Sequence, residues 1–162
     1  MGRQRPGPAD LAYGLIVRSR MQLSTILARI FGPARAIVLL QFLKFGVVGT
    51  FGFVVDASTV YALRGSLGLY GAGAAAYLTA ATCNWLLNRL WTFRGKGGQP
   101  MHRQWALFLM ANLAGFTLNR GTYAILVTLV PWCAAEPVWA VAAGSIAGLG
   151  VNFFLSRKLV FR

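Results

Sequence analysis

Acidic residues are almost missing from this chain. Of 162 residues only Asp10, Asp56 and Glu136 carry a carboxylate, against sixteen Lys and Arg, for a net charge of +13. With no carboxylate pair and no nucleophile beside a base, general acid/base or covalent catalysis has nothing to work with, so an enzyme is not expected. Cysteine occurs twice, as Cys83 and Cys133 in or beside apolar runs. Two such residues make neither a disulfide framework nor a zinc site. The one histidine, His102, lies in the basic loop GKGGQPMHRQ without a candidate partner and reads as solvated. No metal and no other cofactor is expected. Charge is scarce altogether, at 12% of residues, where a soluble domain has roughly a quarter.

Apolar residues are what the chain has in quantity, 57% of the total. In a soluble protein this excess of base would suggest nucleic acid. Here the bases are separated by apolar runs too long for a small soluble fold. Anionic lipid, and not nucleic acid, is therefore the expected partner. A membrane helix needs about 20 predominantly apolar residues, and four segments qualify: about Phe42 to Leu63, Ala72 to Phe93, Gln104 to Val130, and Val138 to Val160. Backbone amides in lipid must be bonded internally, so these spans are helices. The expected fold class is an all-α membrane protein of four transmembrane helices.

Orientation follows from the bases. Arg3, Arg5, Arg18, Arg20, Arg29 and Arg35 precede the first span, with Lys44 just inside it. The first loop has only Arg64, the second has Arg89, Arg94, Lys96 and Arg103 around it, and the third has none. Arg157, Lys158 and Arg162 close the chain. Both termini and the middle loop are thus expected in the cytoplasm, in a multi-pass protein of the cytoplasmic (inner) membrane. Residues 1–36 form a basic tail: MGRQRPGPAD reads as disordered, and LAYGLIVRSRMQLSTILARIF as an amphipathic helix on the inner leaflet. It lacks the apolar length and cleavage site of a signal peptide. Gly32-Pro33 should end it, leaving residues 37–162 as the membrane domain.

Two stretches repeat one another. NWLLNRLWTFR at 84–94 and NFFLSRKLVFR at 152–162 share Asn84/Asn152, Leu87/Leu155, Arg89/Arg157, Phe93/Phe161 and Arg94/Arg162. The preceding helices also correspond, with Phe42, Phe45, Gly52 and Asp56 aligned to Trp105, Phe108, Gly115 and Asn119. Two tandem helical hairpins are expected, at about 41–94 and 104–162, as a parallel internal repeat about an axis along the membrane normal. With QFLKFGVVGTFGFVVD in the first span, these doubled endings resemble the GtrA-like family of small four-helix membrane proteins, over about residues 40–162. The resemblance implies work on polyprenyl-phosphate-linked sugars for cell-surface polysaccharide synthesis, by translocating such lipids or by partnering the glycosyltransferases that make or use them. Ser156, where the first copy has Asn88, and the long basic tail depart from the pattern.

On an α-helix, residues four apart share a face. Asn84 and Asn88, like Asn152 and Ser156, make a polar stripe. Trp85, Arg89 and Phe93, like Phe153, Arg157 and Phe161, make a second one beside it, an arginine between two rings. Arg89 and Arg157, with the stripe residues Asn84, Asn88, Asn152 and Ser156 beside them, are the candidates for binding a lipid phosphate, since an arginine fork suits bidentate phosphate contact, and the flanking rings would shelter a prenyl chain at the interface. Arg94 and Arg162 read as interfacial snorkelling residues. Asp56 and Arg120 fall at similar depth in the outer half of the membrane, where an unpaired charge costs about 3 kcal/mol. The expectation is that they pair, near Asn119, as a structural bridge or as a gate. Gly46, Gly49, Gly52, Gly144 and Gly148 allow close helix approach or a homodimer face. A lipid-linked sugar translocator leads the functional readings. A scaffold that recruits a glycosyltransferase through its basic loop is the alternative, and small-multidrug-type export is the weaker third.

Overall fold

The computed structural model describes residues 25–162. The expectations for the first part of the tail, including Arg3, Arg5, Arg18 and Arg20, lie outside them. The chain divides into two units between Leu43 and Lys44. In the first unit residues 25–31 are helical. Gly32 then takes a φ of 81°, a left-handed conformation that ends a helix at little cost to glycine. A new helix starts at Pro33, whose missing N–H is no loss in a first turn.

Helix Pro33–Leu87 is interrupted at Gly68, with φ 66° and ψ 176°. Its arms are α1 (33–67) and α2 (69–87). An unbroken helix over the 60 residues Pro33–Thr92 would be about 90 Å long, three times the thickness of a hydrocarbon core. The break folds it back: Gly52 and Asn84, equidistant from Gly68, touch, and the Asn84 amide fills the space a Cβ on Gly52 would take. After the loop come α3 (Met101–Leu129), the short α4 (Pro131–Ala135) and α5 (Val138–Leu155). α3 and α5 pack antiparallel with the same device. The Asn152 amide fills the notch over Gly115, while Gly144 and Gly148 rest on Asn119 and the Gly115 carbonyl.

Both α2 and α5 run on into a π turn, Asn88–Thr92 and Ser156–Val160 respectively. The Phe93 N–H donates to Asn88 O at 2.8 Å and the Phe161 N–H to Ser156 O at 2.9 Å. Each π turn inserts one residue into the helical repeat. The buried positions at the two ends have identical spacing: Trp85, Asn88, Thr92 and Phe93 in one, Phe153, Ser156, Val160 and Phe161 in the other. The rings form one cluster. Phe93 stacks on Phe161, Phe45 meets Phe93 edge-on at 6.3 Å, and Phe108 meets Phe161 edge-on at 6.1 Å. Phe153 joins through Phe45 at 5.7 Å.

This corrects the sequence reading of Trp85, Phe93, Phe153 and Phe161. They are core residues, not interfacial rings facing a prenyl chain. Trp85 and Phe153 already face the core on the α-helices before the π turns begin, and the extra residue of each π turn swings Phe93 and Phe161 onto the same inward side. Among the glycines, Gly52, Gly144 and Gly148 make close contacts, whereas a Cβ on Gly46 or Gly49 would meet open space.

The described residues are almost wholly helical and contain no strand. The exterior is apolar: Phe53, Tyr61, Leu129 and Ile146 are each about 70% exposed, while Gln104, Asn88 and Ser156 are fully buried. Such inversion suits a protein surrounded by lipid. Two helical stretches, Pro33–Thr92 and Val138–Val160, are long and apolar enough to cross a membrane. The sequence reading counted four spans. The first stretch contains α1 and α2, and α3, although 29 residues long, carries Arg103, Asn112, Asn119 and Arg120 and falls short in apolarity.

Candidate functional site

The two hairpin ends meet at Gln104, on the first turn of α3. Its Oε1 accepts from Trp85 Nε1 at 3.2 Å and from Arg89 Nη1, and its Nε2 donates to Val160 O at 3.2 Å. One wholly buried amide thus binds a residue of α2, the first π turn and the second π turn. The loop supplies two further caps: Gln99 Nε2 donates to Leu159 O at 3.0 Å and the Gly97 N–H to Arg162 O at 3.2 Å. These donors satisfy carbonyls that a helix end leaves without partners. Gly97, at φ 97°, is glycine for two reasons: its backbone is left-handed, and a Cβ would collide with Gln104 Nε2. Sequence reasoning missed Gln104 because its partners lie far away along the chain. Trp105, one residue on, donates to Thr82 Oγ1 at 3.0 Å, and the Tyr77 hydroxyl donates to Leu109 O at 3.2 Å. Both tie α2 to α3.

Beside Gln104 opens a groove of about 450 Å³. Arg89, Arg94 and Lys96 line it together with Leu90 and the glycines of the loop. Arg89 is half-buried and held by Gln104, while Arg94 and Lys96 are exposed. Arg157, the counterpart of Arg89, is half-buried on the second π turn and does not line this groove. Arg162 is exposed. Lys44 lies over the Trp91 ring at 5.7 Å.

A larger cavity of about 620 Å³ lies between the hairpins. Gly46, Gly49 and Thr50 form one wall, Asn112, Gly115 and Asn119 another, and Ser145, Gly148 and Asn152 a third. A smaller one of about 230 Å³ shares Gly49, Phe53, Tyr77 and Asn112 with it and reaches Asp56 and Asn84. The open space at Gly46 and Gly49 is this cavity. Several buried oxygens accept no hydrogen bond: Asn152 Oδ1 and Asn84 Oδ1, whose residues line the larger and the smaller cavity, and Asn88 Oδ1 and Ser156 Oγ on the π turns. They belong to the four residues of the polar stripe. Asn88 and Asn112 each turn the amide nitrogen back onto the preceding helical turn, to Asn84 O at 2.9 Å and Phe108 O at 2.8 Å.

Asp56 and Arg120 do not pair; no ion pair links them among the described residues. Asp56 lines the smaller cavity, while the Arg120 guanidinium lies over the Phe116 ring at 5.5 Å on an exposed face of α3. Equal depth was the basis for pairing them, but azimuth decides. Asn119 faces α5, and the next residue on a helix points about 100° away. A guanidinium over a ring is partly compensated by the ring's negative face.

No curated protein matches the chain. The family model of the GtrA/DPMS transmembrane domain matches residues 44–162, the whole of the second unit, and the chain belongs to that family.

Proposed function

We propose that the protein moves polyprenyl-phosphate-linked sugars across the cytoplasmic membrane for cell-surface polysaccharide or glycan synthesis. Membership of the family suggests involvement in handling such lipids. Translocation itself is our reading, and the cavity between the hairpins carries it. A sugar's hydroxyls need hydrogen-bond partners wherever water is excluded, at a cost of several kcal/mol each if unmet. The amides of Asn112, Asn119 and Asn152 and the hydroxyls of Thr50 and Ser145 line that cavity, and an amide can both donate and accept. Its volume of about 620 Å³ falls within the usual range for small-molecule sites, about 300–1,000 Å³. The bare faces of Gly46 and Gly49 keep it open. The prenyl tail would stay in lipid along the exposed apolar exterior while the sugar passes.

In this reading α1, α2, α3 and α5 each cross the membrane, as two tandem hairpins with both termini and the loop at 95–100 in the cytoplasm. The paired glycine–asparagine contacts and the equal spacing of the two π turns support the repeat. Arg89 and Arg157 would take the phosphate on the cytoplasmic side, and a homodimer would enlarge the enclosed space.

The test is reconstitution of the purified protein in liposomes with a labelled polyprenyl-phosphate sugar. Accelerated transbilayer movement, reduced when Asn112 and Asn152 are replaced by Leu, is expected. No acceleration at any protein density would leave the second reading, a membrane anchor for a glycosyltransferase, which the exposed Arg94, Lys96 and Arg103 favour.

A further inference from the structure

The groove at the end of the first hairpin is more selectively built than a basic surface. Arginine on a surface usually sweeps a wide volume, but Arg89 does not. Its Nη1 is fixed by Gln104, whose other end is fixed by Val160 O, and Gln104 is wholly buried. Arg94 and Lys96 face the same space of about 450 Å³. Neither described acidic side chain, Asp56 or Glu136, lines it. Three like charges around one concavity repel one another unless an anion sits among them. The remaining wall is mostly glycine. Gly95 and Gly97 have φ of 80° and 97°, so the loop curls around the groove without side chains in the way; the Gly97 N–H is already given to Arg162 O, and what the loop contributes is open space.

The geometry points to this groove as the seat of a lipid-borne phosphate. Arg89, preset by Gln104, offers a fork, and Arg94 and Lys96 close over the anion from the exposed side. Leu90, 61% exposed, stands at the lip, where the first apolar units of the lipid chain leave the headgroup. The assignment rests on the proposed work on polyprenyl phosphates. It goes further by giving Arg89 two partners from the loop, Arg94 and Lys96, where the repeat alone pairs it with Arg157. It also gives Arg94 a binding role in place of snorkelling.

Binding to the full-length protein in detergent micelles tests it, with farnesyl phosphate as the probe and farnesol, inorganic phosphate and phosphatidylglycerol as competitors. The double variant Arg94→Gln, Lys96→Gln should lose about tenfold or more in affinity for farnesyl phosphate, since charge-assisted bonds are the strong ones. Its weaker interaction with farnesol should be unchanged. Both side chains are exposed, so the variant should unfold at the same temperature as wild type. Arg103→Gln, an exposed base of the same region that does not line the groove, should keep wild-type affinity. Unchanged affinity in the double variant overturns the assignment, as does an equal loss in Arg103→Gln. Competition by inorganic phosphate at equal affinity would point to a free-anion site, and by phosphatidylglycerol to a general anionic-lipid patch. Either overturns it too. The transport reading fails separately: binding by the groove with no movement in liposomes sinks transport and keeps the seat, whereas movement unaffected by the double variant sinks the seat and keeps transport.

Discussion

Phe93 and Phe161 stack with their centroids 4.6 Å apart and their planes at 14°. They are the same position of the doubled ending, and each is fully buried. The pair welds the two hairpin ends together. Phe161→Ala should destabilise the protein by about 3 kcal/mol, as cavity-forming Phe→Ala changes do, and Phe161→Leu by less than half of that. Unfolding in a graded mixture of mild and denaturing detergent would measure both. Equal effects would mean the ring geometry matters and the volume does not.

Gln104→Ala removes the one acceptor that Trp85 and Arg89 share and leaves Val160 O without its donor. A loss of about 2–3 kcal/mol is expected, the usual cost of stranding buried polar groups. Gln104→Glu should also destabilise, although it strengthens the contact with Arg89, because a carboxylate cannot donate to Val160 O. The same detergent titration reads both.

The glycines should sort into two groups. Gly52→Ala and Gly115→Ala force a Cβ into Asn84 and Asn152 and should cost about 1–3 kcal/mol, as overpacking does. Gly46→Ala and Gly49→Ala meet open space and should leave stability within about 0.5 kcal/mol of wild type, while narrowing the cavity and slowing transport. A stability loss at Gly49 as large as at Gly52 would contradict the open wall.

Asp56 and Arg120 should be energetically independent. A double-mutant cycle on Asp56→Asn and Arg120→Gln should give a coupling below about 0.5 kcal/mol, as for sites without contact. Charge exchange between the two should rescue nothing. A coupling of 2 kcal/mol or more would restore the ion pair.

A reporter fused after Gly98 should be active only in its cytoplasmic form, and one in the loop at Glu136 only in its external form. Activity of the Gly98 fusion outside the cell would invert the proposed topology.

The helical, membrane character of the chain was legible in its apolar runs, and the doubled ending in its repeated Asn and Arg. The polar stripe Asn84, Asn88, Asn152 and Ser156 was legible as a set; what those side chains bind was not. Three features escaped for physical reasons. A π turn has no local sequence signature, so periodicity put Phe93 and Phe161 on the wrong face. Gln104 is a single amide whose partners lie 15 to 56 residues away, and nothing in its own neighbourhood signals them. Helical rise put Asp56 and Arg120 at one depth, but contact also depends on rotation about the helix axis, which the residues around Asn119 decide only once α5 is in place.

The caps on the second hairpin also set an order of assembly. Gln99, Gln104 and the Gly97 amide are made some sixty residues before the carbonyls of Leu159, Val160 and Arg162 that they serve. As the chain emerges, Trp85 and Arg89 can find Gln104 early, but half of that amide stays unsatisfied until residues 159–162 arrive. Residues 159–162 therefore act as a latch on a receptor built long before them. Truncation before Leu159 would leave the Gln104 amide buried with its Nε2 unpartnered.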